Sequence, residues 1–268
     1  RVEYAFSKYH GLGNDFIFME DFGGKLLPEG EELARLLCHR HFGIGADGLV
    51  LITKEAGLFT MRIFNADGSE AEMCGNAVRC MAHYLLDQAL AEGPALRIGT
   101  LAGVKEIVAS GGLYRVDMGE PDLEGPLSLA ASGREWICHP VSMGNPHAVV
   151  FVDDVDEVNL AMWGPTLENH PVWPQKANIE FVQVVSANRL KVRVWERGAG
   201  PTLACGTGAC AAAVVSIREG FVQSPVEVVL PGGELTIEWS AGNHVSMSGP
   251  ATKVFAGRID LEALKGGR

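Results

Sequence analysis

The sequence predicts an α/β (α+β) protein built as two pseudo-twofold-related domains, each a mixed or antiparallel sheet wrapped around a central helix. Three observations carry this. Short apolar, β-branched runs bounded by Gly and Pro recur along the chain, with few helical patterns between them. The motifs of the first half return in the second at a nearly constant offset. In both halves a Cys-Gly pair leads from a turn into a run of small and apolar residues at helical spacing.

In chain order, residues 2–20 read as strand, Gly-Leu-Gly turn and strand. Residues 29–41 read as a helix with Leu33, Leu36 and Leu37 on one face, carrying Cys38-His-Arg-His41. Gly43-Ile-Gly-Ala-Asp-Gly48 then enters a short buried strand. This stretch matches a dinucleotide fingerprint in letters only, because that motif needs a strand before it and a helix after it. A strand over 59–64, a turn at Asn65-Ala-Asp-Gly-Ser69 and a helix over 75–90 follow, then two or three strands up to Gly119-Glu-Pro121. Residues 122–135, rich in Pro, Gly and Ser, read as a connector.

The pattern then restarts. A strand leads to Met143-Gly-Asn145-Pro-His147 and another strand, a helical segment, and strands over 179–185 and 190–195. A helix over 209–218 and three closing strands end at Gly249-Pro250, followed by a last strand and tail. The expected boundaries are 1–121 and 122–251, with strand 252–268 completing the first half.

The repeat is specific. Gly13-Asn14 and Gly144-Asn145, Ala46-Asp47 and Ala177-Asn178, Asn65 and Glu196, and Cys74-Gly75 and Cys205-Gly206 are all 131 residues apart. Later pairs slip to 129, as in Val116-Asp-Met118 and Val245-Ser-Met247.

Bulk properties narrow the function. A length of 268 residues suits one large or two ordinary domains. A net charge of −11 with no basic cluster argues against nucleic acid and anionic membrane as partners. No stretch reaches the roughly 20 apolar residues of a membrane span, and the opening residues lack a signal-peptide pattern. Six cysteines without a Cys-x-x-Cys pair do not make a disulfide scaffold at this length; they fit a reducing cytoplasm. Cys38-His-Arg-His41 has the wrong spacing for zinc, so neither metal nor cofactor is expected.

Cys38, Cys80, Cys138 and Cys210 read as core residues. Cys74 and Cys205 differ because they occupy equivalent points of the repeat. Two facing helix N-termini offer unpaired N–H groups and partial positive charge, which hold a carboxylate and favour a thiolate. A thiolate on one face of a carbon and a thiol on the other can invert a stereocentre. Asn14, Asn65, Asn145, Asn178, Glu196 and Arg197 lie near these cysteines in the repeat and suit an amino-acid ligand, Arg197 for a second carboxylate. His147 and Glu196 are candidates to tune the thiols, although His147 reads equally well as a strand-start histidine satisfied by backbone.

His10-Gly-Leu-Gly-Asn-Asp-Phe16, Asn65-Ala-Asp-Gly-Ser-Glu70, Met73-Cys-Gly-Asn76, Gly144-Asn-Pro-His147, Glu196-Arg-Gly-Ala-Gly200 and Ala204-Cys-Gly-Thr-Gly-Ala-Cys210 together resemble diaminopimelate epimerase over nearly the whole chain. The resemblance implies cofactor-independent interconversion of LL- and meso-2,6-diaminopimelate for lysine and peptidoglycan precursors, in a cytoplasmic homodimer. It implies Cys74 and Cys205 as the acid/base thiols, with His147 and Glu196 modulating them. Asn14, Asn65, Asn145, Asn178, Glu196 and Arg197 would contact substrate, and Gly75-Asn76 and Gly206-Thr207 would supply carboxylate-binding N–H groups.

Two departures stand out: Ala46-Asp-Gly48 lacks a Gln common in the family, and Ala77-Val78 replaces Gly-Ala. A proline or hydroxyproline racemase shares the expected mechanism but usually has His where Asn76 stands. A thiol redox protein, with Cys74 and Cys205 as a regulatory disulfide, is the alternative from another class.

Overall fold

Parallel neighbours in a sheet need a crossover, and the chain supplies four of them as helices. The computed structural model describes residues 2–267, and the chain divides into two units. One runs up to Val116 and resumes at Pro250; the other runs from Asp117 to Gly249.

The first unit begins with β1 (Glu3–Gly11) and β2 (Asn14–Glu20), then α1 (Gly30–Leu37), β3 (Gly48–Glu55), β4 (Leu58–Asn65) and the short β5 (Glu70–Ala71). It continues with α2 (Gly75–Asp87), β6 (Ala95–Thr100), β7 (Gly103–Ser110) and β8 (Leu113–Asp117). β2 and β3 are parallel across α1, and β4 and β6 are parallel across α2; the other neighbours among β1–β4 and β6–β8 are antiparallel.

The second unit repeats this order. It holds β9 (Asp122–Leu123), β10 (Leu127–Ala131), β11 (Arg134–Ser142), β12 (Pro146–Phe151), α3 (Leu160–Glu168), β13 (Asn178–Ser186) and β14 (Arg189–Glu196). β15 (Gly200–Pro201), α4 (Gly206–Arg218), β16 (Val226–Leu230), β17 (Gly233–Glu238) and β18 (Ser246–Pro250) follow. β12 and β13 are parallel across α3, and β14 and β16 across α4. The chain ends with β19 (Thr252–Asp260), antiparallel to β1, and α5 (Leu261–Gly266).

β2, β3, β12 and β13 are buried on both faces over most of their length, which is why β3 reads as a continuous apolar run, whereas β8 and β17 alternate. On one face α1 packs with Leu33 and Leu37 against Ile17, Met19, Leu49 and Leu51, and α3 packs with Leu160 and Leu167 against Ala148, Val150, Ile179 and Phe181. α2 touches β1, β2, β6, β7 and β19, and α4 touches β11–β14, β16 and β17. α4 is buried nearly all round, and its run Ala209-Cys-Ala-Ala-Ala213 lets the surrounding strands approach closely.

Three local expectations change. Residues 127–142 form a hairpin, not a connector: Ala131 pairs with Arg134, and the two turn residues Ser132 and Gly133 both have positive φ, the geometry of a two-residue hairpin loop. Helix α1 stops at Leu37, so Cys38-His-Arg-His41 lies beyond its end, where the N–H groups of Ile44 and Gly45 close back on the Leu37 carbonyl. The repeat also slips by one at β13. Phe64 and Trp195 are 131 apart, but their partners Leu49 and Ile179 are 130 apart, so Asn178 takes the place of Gly48 rather than of Asp47.

Candidate active site

In the first unit, Cys74 is the half-buried N-cap of α2, with extended backbone at φ −146°. Its Sγ donates toward Asn14 Oδ1 at 3.8 Å, and Asn76 Nδ2 donates to the same oxygen at 3.0 Å. Asn14 begins β2, and its Nδ2 donates to Asp47 Oδ2 at 2.9 Å. A carboxylate can only accept, so Asp47 fixes the amide with its carbonyl toward Cys74. Asp47 also takes the Asp15 N–H at 3.1 Å and an Arg40 N–H at 3.1 Å. Asn65 closes β4, exposed, with Nδ2 on Ser69 Oγ at 3.1 Å. Gly75 and Asn76 form the first turn of α2, whose N–H groups have no partner within the helix.

In the second unit, Cys205 is the buried N-cap of α4, and its Sγ accepts the Gly208 N–H at 3.3 Å. Gly206 and Thr207 open the helix, with Thr207 Oγ1 3.7 Å from the sulfur. Asn145 Nδ2 donates to Thr207 Oγ1 at 3.2 Å, and Asn145 Oδ1 lies 2.9 Å from His147 Nε2. His147 is not satisfied by backbone: its Nδ1 lies 2.6 Å from Glu180 Oε1, and both side chains are fully buried. Asn178 opens β13, donating to the Pro146 carbonyl at 2.9 Å and accepting the Arg197 N–H at 2.7 Å. Glu196 closes β14. Arg197 is exposed, with Nη1 on the Gln175 carbonyl at 3.1 Å.

The electrostatics of Cys205 run against the expectation that a helix end lowers its pKa. Burial, then the Glu196 and Glu180 carboxylates, push the thiol well above its ordinary value, and the hydrogen bonds from Thr207 and Gly208 offset only part of this. Both effects favour the thiol over the thiolate at Cys205. Cys38, Cys80 and Cys138 are raised as well, chiefly by burial, with Cys138 at about 11 and Cys38 at about 12.

Sequence reasoning missed three acids. Asp47 orients Asn14. Glu180 partners His147; an ionisable residue inside the apolar run Ile179-Glu-Phe-Val182 was its visible mark. Glu168 takes the Trp195 Nε1–H at 3.2 Å and the Gly198 N–H at 2.7 Å, holding the turn that carries Arg197, and nothing in its local sequence marks it. Among the described residues no group of three or more His, Cys, Asp or Glu is arranged to hold a metal ion, and no helix is long and apolar enough to cross a membrane.

Solved structures share the fold. A phenazine biosynthesis protein of the PhzF family from Bacillus anthracis matches with a TM-score of 0.75 at 16% identity, covering 97% of this chain and 100% of that one. A hydroxyproline epimerase from Agrobacterium vitis, solved with trans-4-hydroxy-L-proline, matches at 0.72 and 15% identity, covering 96% and 92%. Nearer in sequence are proteins named diaminopimelate epimerase. One from Pelotomaculum thermopropionicum is 50% identical over 272 residues (94% of this chain, 97% of that protein), and one from Synechocystis is 49% identical over 277 residues (96% and 99%). The family model described as diaminopimelate epimerase matches residues 6–124 and 140–254, which include both Cys-Gly helix entries and every candidate residue around them. With half of its residues identical to such relatives along nearly the full length, the chain belongs to the diaminopimelate epimerase family.

Proposed function

We propose that the chain is a cofactor-independent isomerase that inverts one α-carbon of 2,6-diaminopimelate, interconverting the LL and meso forms. The observation that supports this most is the doubled motif. Each unit holds a cysteine at the N-terminus of a buried helix, with an amide side chain bridged to the second residue of that helix.

Cys74 and Cys205 act as the acid/base pair. One, as thiolate, removes the α-proton; the other, as thiol, returns a proton to the opposite face. Charge developing in the α-carboxylate is met by the N–H groups of Gly75-Asn76 and Gly206-Thr207. One proton leaves and one arrives, so the step needs no oxidant or reductant. Asn14, Asn65, Asn145, Asn178 and Glu196 hold the amino and carboxyl groups, and Arg197 takes the far carboxylate. His147 and Glu196 modulate the thiols; the Glu196 carboxylate already acts on Cys205. The same reading extends to a homodimer working in the cytoplasm, checked by sedimentation and by cell fractionation.

The test is α-proton exchange. Incubated with LL-diaminopimelate in deuterated buffer without added cofactor, the chain is expected to form the meso isomer and to incorporate deuterium at the α-carbon. No exchange, or exchange only with added pyridoxal phosphate, sinks the proposal. Racemisation of proline in its place moves the assignment to the proline racemase type.

A further inference from the structure

The proposed chemistry leaves one buried ionisable group unused. Glu180 lies on β13 with its side chain fully buried; Oε1 is 2.6 Å from His147 Nδ1, and Oε2 is buried with no hydrogen-bond partner. A buried carboxylate oxygen without a partner is costly. The fold does not require it. Val50 holds the corresponding place in the first unit, one residue after Leu49 as Glu180 follows Ile179, and Phe16, opposite Gly48, holds the place of His147, opposite Asn178. An apolar pair fills the same space there, and both of its side chains are buried.

The orientation of the Asn145 amide points to where the protons lie. Asn145 turns its NH₂ to Thr207 Oγ1, so its carbonyl oxygen faces His147. A carbonyl oxygen accepts only, so His147 Nε2 carries a hydrogen. One further proton then lies between Nδ1 and Oε1, whether it rests on the ring or on the acid, and the pair as a whole is neutral. Burial pushes the Glu180 carboxyl up to about 7, against the opposing pull of His147, and the partnerless Oε2 favours the acid in the same direction. The pair also presses on the start of α4. A methyl group built on Gly208 would lie 3.0 Å from Glu180 Oε1 and 3.2 Å from Cys205 Sγ.

We propose that Glu180 is a positioning residue for the proton step at Cys205: the proton it shares with His147 keeps the pair neutral beside the thiol and locks the His147–Asn145–Thr207 chain onto the first turn of α4. This rests on the reading of Cys205 as an acid/base group. The groups that face Glu180 are His147 from β12, Cys205 from the start of α4 and Glu196 from β14. Loss of the shared proton adds a buried negative charge beside Cys205, on which the partly buried Glu196 carboxylate already acts. Thiolate formation at Cys205 is then opposed, and the base role fails as pH rises.

Glu180→Gln separates the proton from the shape. A glutamine amide can donate to His147 Nδ1 and preserve the tautomer, but it cannot ionise. Two readouts on the full chain test this. In ¹⁵N spectra of labelled histidine, wild-type His147 is expected to carry a hydrogen on Nε2, with or without one on Nδ1, and Glu180→Ala is expected as a mixture of tautomers. A wild-type Nδ1–H, Nε2-bare ring overturns the proposal. In the pH profile of kcat/KM for diaminopimelate exchange, the alkaline limb of Glu180→Gln is expected to move up by about one pH unit or more. A profile that superimposes on wild type overturns the role given to Glu180. Absence of exchange in the wild type instead sinks the functional reading, and the spectra remain readable without activity.

Discussion

Asn14 Oδ1 accepts a hydrogen bond from Asn76 Nδ2 at 3.0 Å, and 131 residues later Asn145 and Thr207 form the matching contact at 3.2 Å. In both units the turn before a strand is thus tied to the second residue of a buried helix, with the N-cap cysteine beside the tie. The support behind each tie differs. Asp47 orients Asn14 from an exposed ion network, whereas the buried His147–Glu180 pair orients Asn145. One geometry is therefore backed by two electrostatic environments, and the proposed reaction gives the two thiols opposite parts.

If both cysteines move protons, removing either stops inversion. Cys74→Ala and Cys205→Ala are each expected to lower epimerisation by about 10²–10⁴-fold, the usual worth of a positioned acid or base. Chiral analysis of the product checks this, and full activity in either variant removes that cysteine from the mechanism. Because the Cys205 pKa is raised, its proton is retained where an ordinary thiol gives it up. The ultraviolet thiolate difference between wild type and Cys205→Ala is therefore expected to stay flat from about pH 6 to pH 9.

Asp47 acts through the orientation of Asn14. In Asp47→Asn the new amide can donate as well as accept, so Asn14 is free to turn its NH₂ toward Cys74. A fall of about tenfold in kcat/KM is expected, the worth of roughly one hydrogen bond to a charged group, with the melting temperature little changed because Asp47 is nearly half exposed. Unaltered kinetics would show that the amide orientation does not matter.

Acid stability has a local source in Asp15. Burial alone would raise this carboxyl, but hydrogen bonds from Arg40 and Lys8 hold it well below the usual carboxylate range. A depressed folded pKa stabilises the fold above the unfolded value near 3.9, and that stability is lost as pH falls toward the folded value. Asp15→Asn is expected to melt lower than wild type at pH 7, with the gap closing below about pH 4. A gap that persists at low pH would mean that packing, not charge, is responsible.

The residues proposed for the chemistry stand at element ends, where the repeat marks them twice. Cys74 and Cys205, Asn14 and Asn145, and Asn65 and Glu196 stand at helix or strand boundaries in register. Side chains that support them from a distance were not legible. Glu180 and Glu168 reach their partners 33 and 30 residues away in sequence, across strands and a helix, and have no counterpart in the first half to mark them. The fold class was legible from turn and strand punctuation, but the 127–142 hairpin was hidden by a Ser-Gly turn inside a Pro/Gly/Ser-rich stretch. At Cys205 the helix-end field alone points to a lowered pKa, but burial and the Glu196 and Glu180 carboxylates, which the local sequence does not display, push it up.

Glu168 offers a test of how Arg197 is held. Its two oxygens take the Trp195 Nε1–H and the Gly198 N–H, flanking Glu196 and Arg197 on both sides. Trp195 in turn packs where a methyl on Gly164 would fall 2.3 Å from its ring, so α3 and this turn are fitted to each other. Glu168→Gln leaves one acceptor for two donors and costs about 1–3 kcal/mol for the group left unpaired. With Arg197 proposed for the far carboxylate, the loss is expected mainly in KM, roughly tenfold or more, with kcat falling less. Steady-state kinetics beside a melting curve decide it: a lower melting temperature with KM unchanged would leave Glu168 a structural clamp with no part in substrate binding.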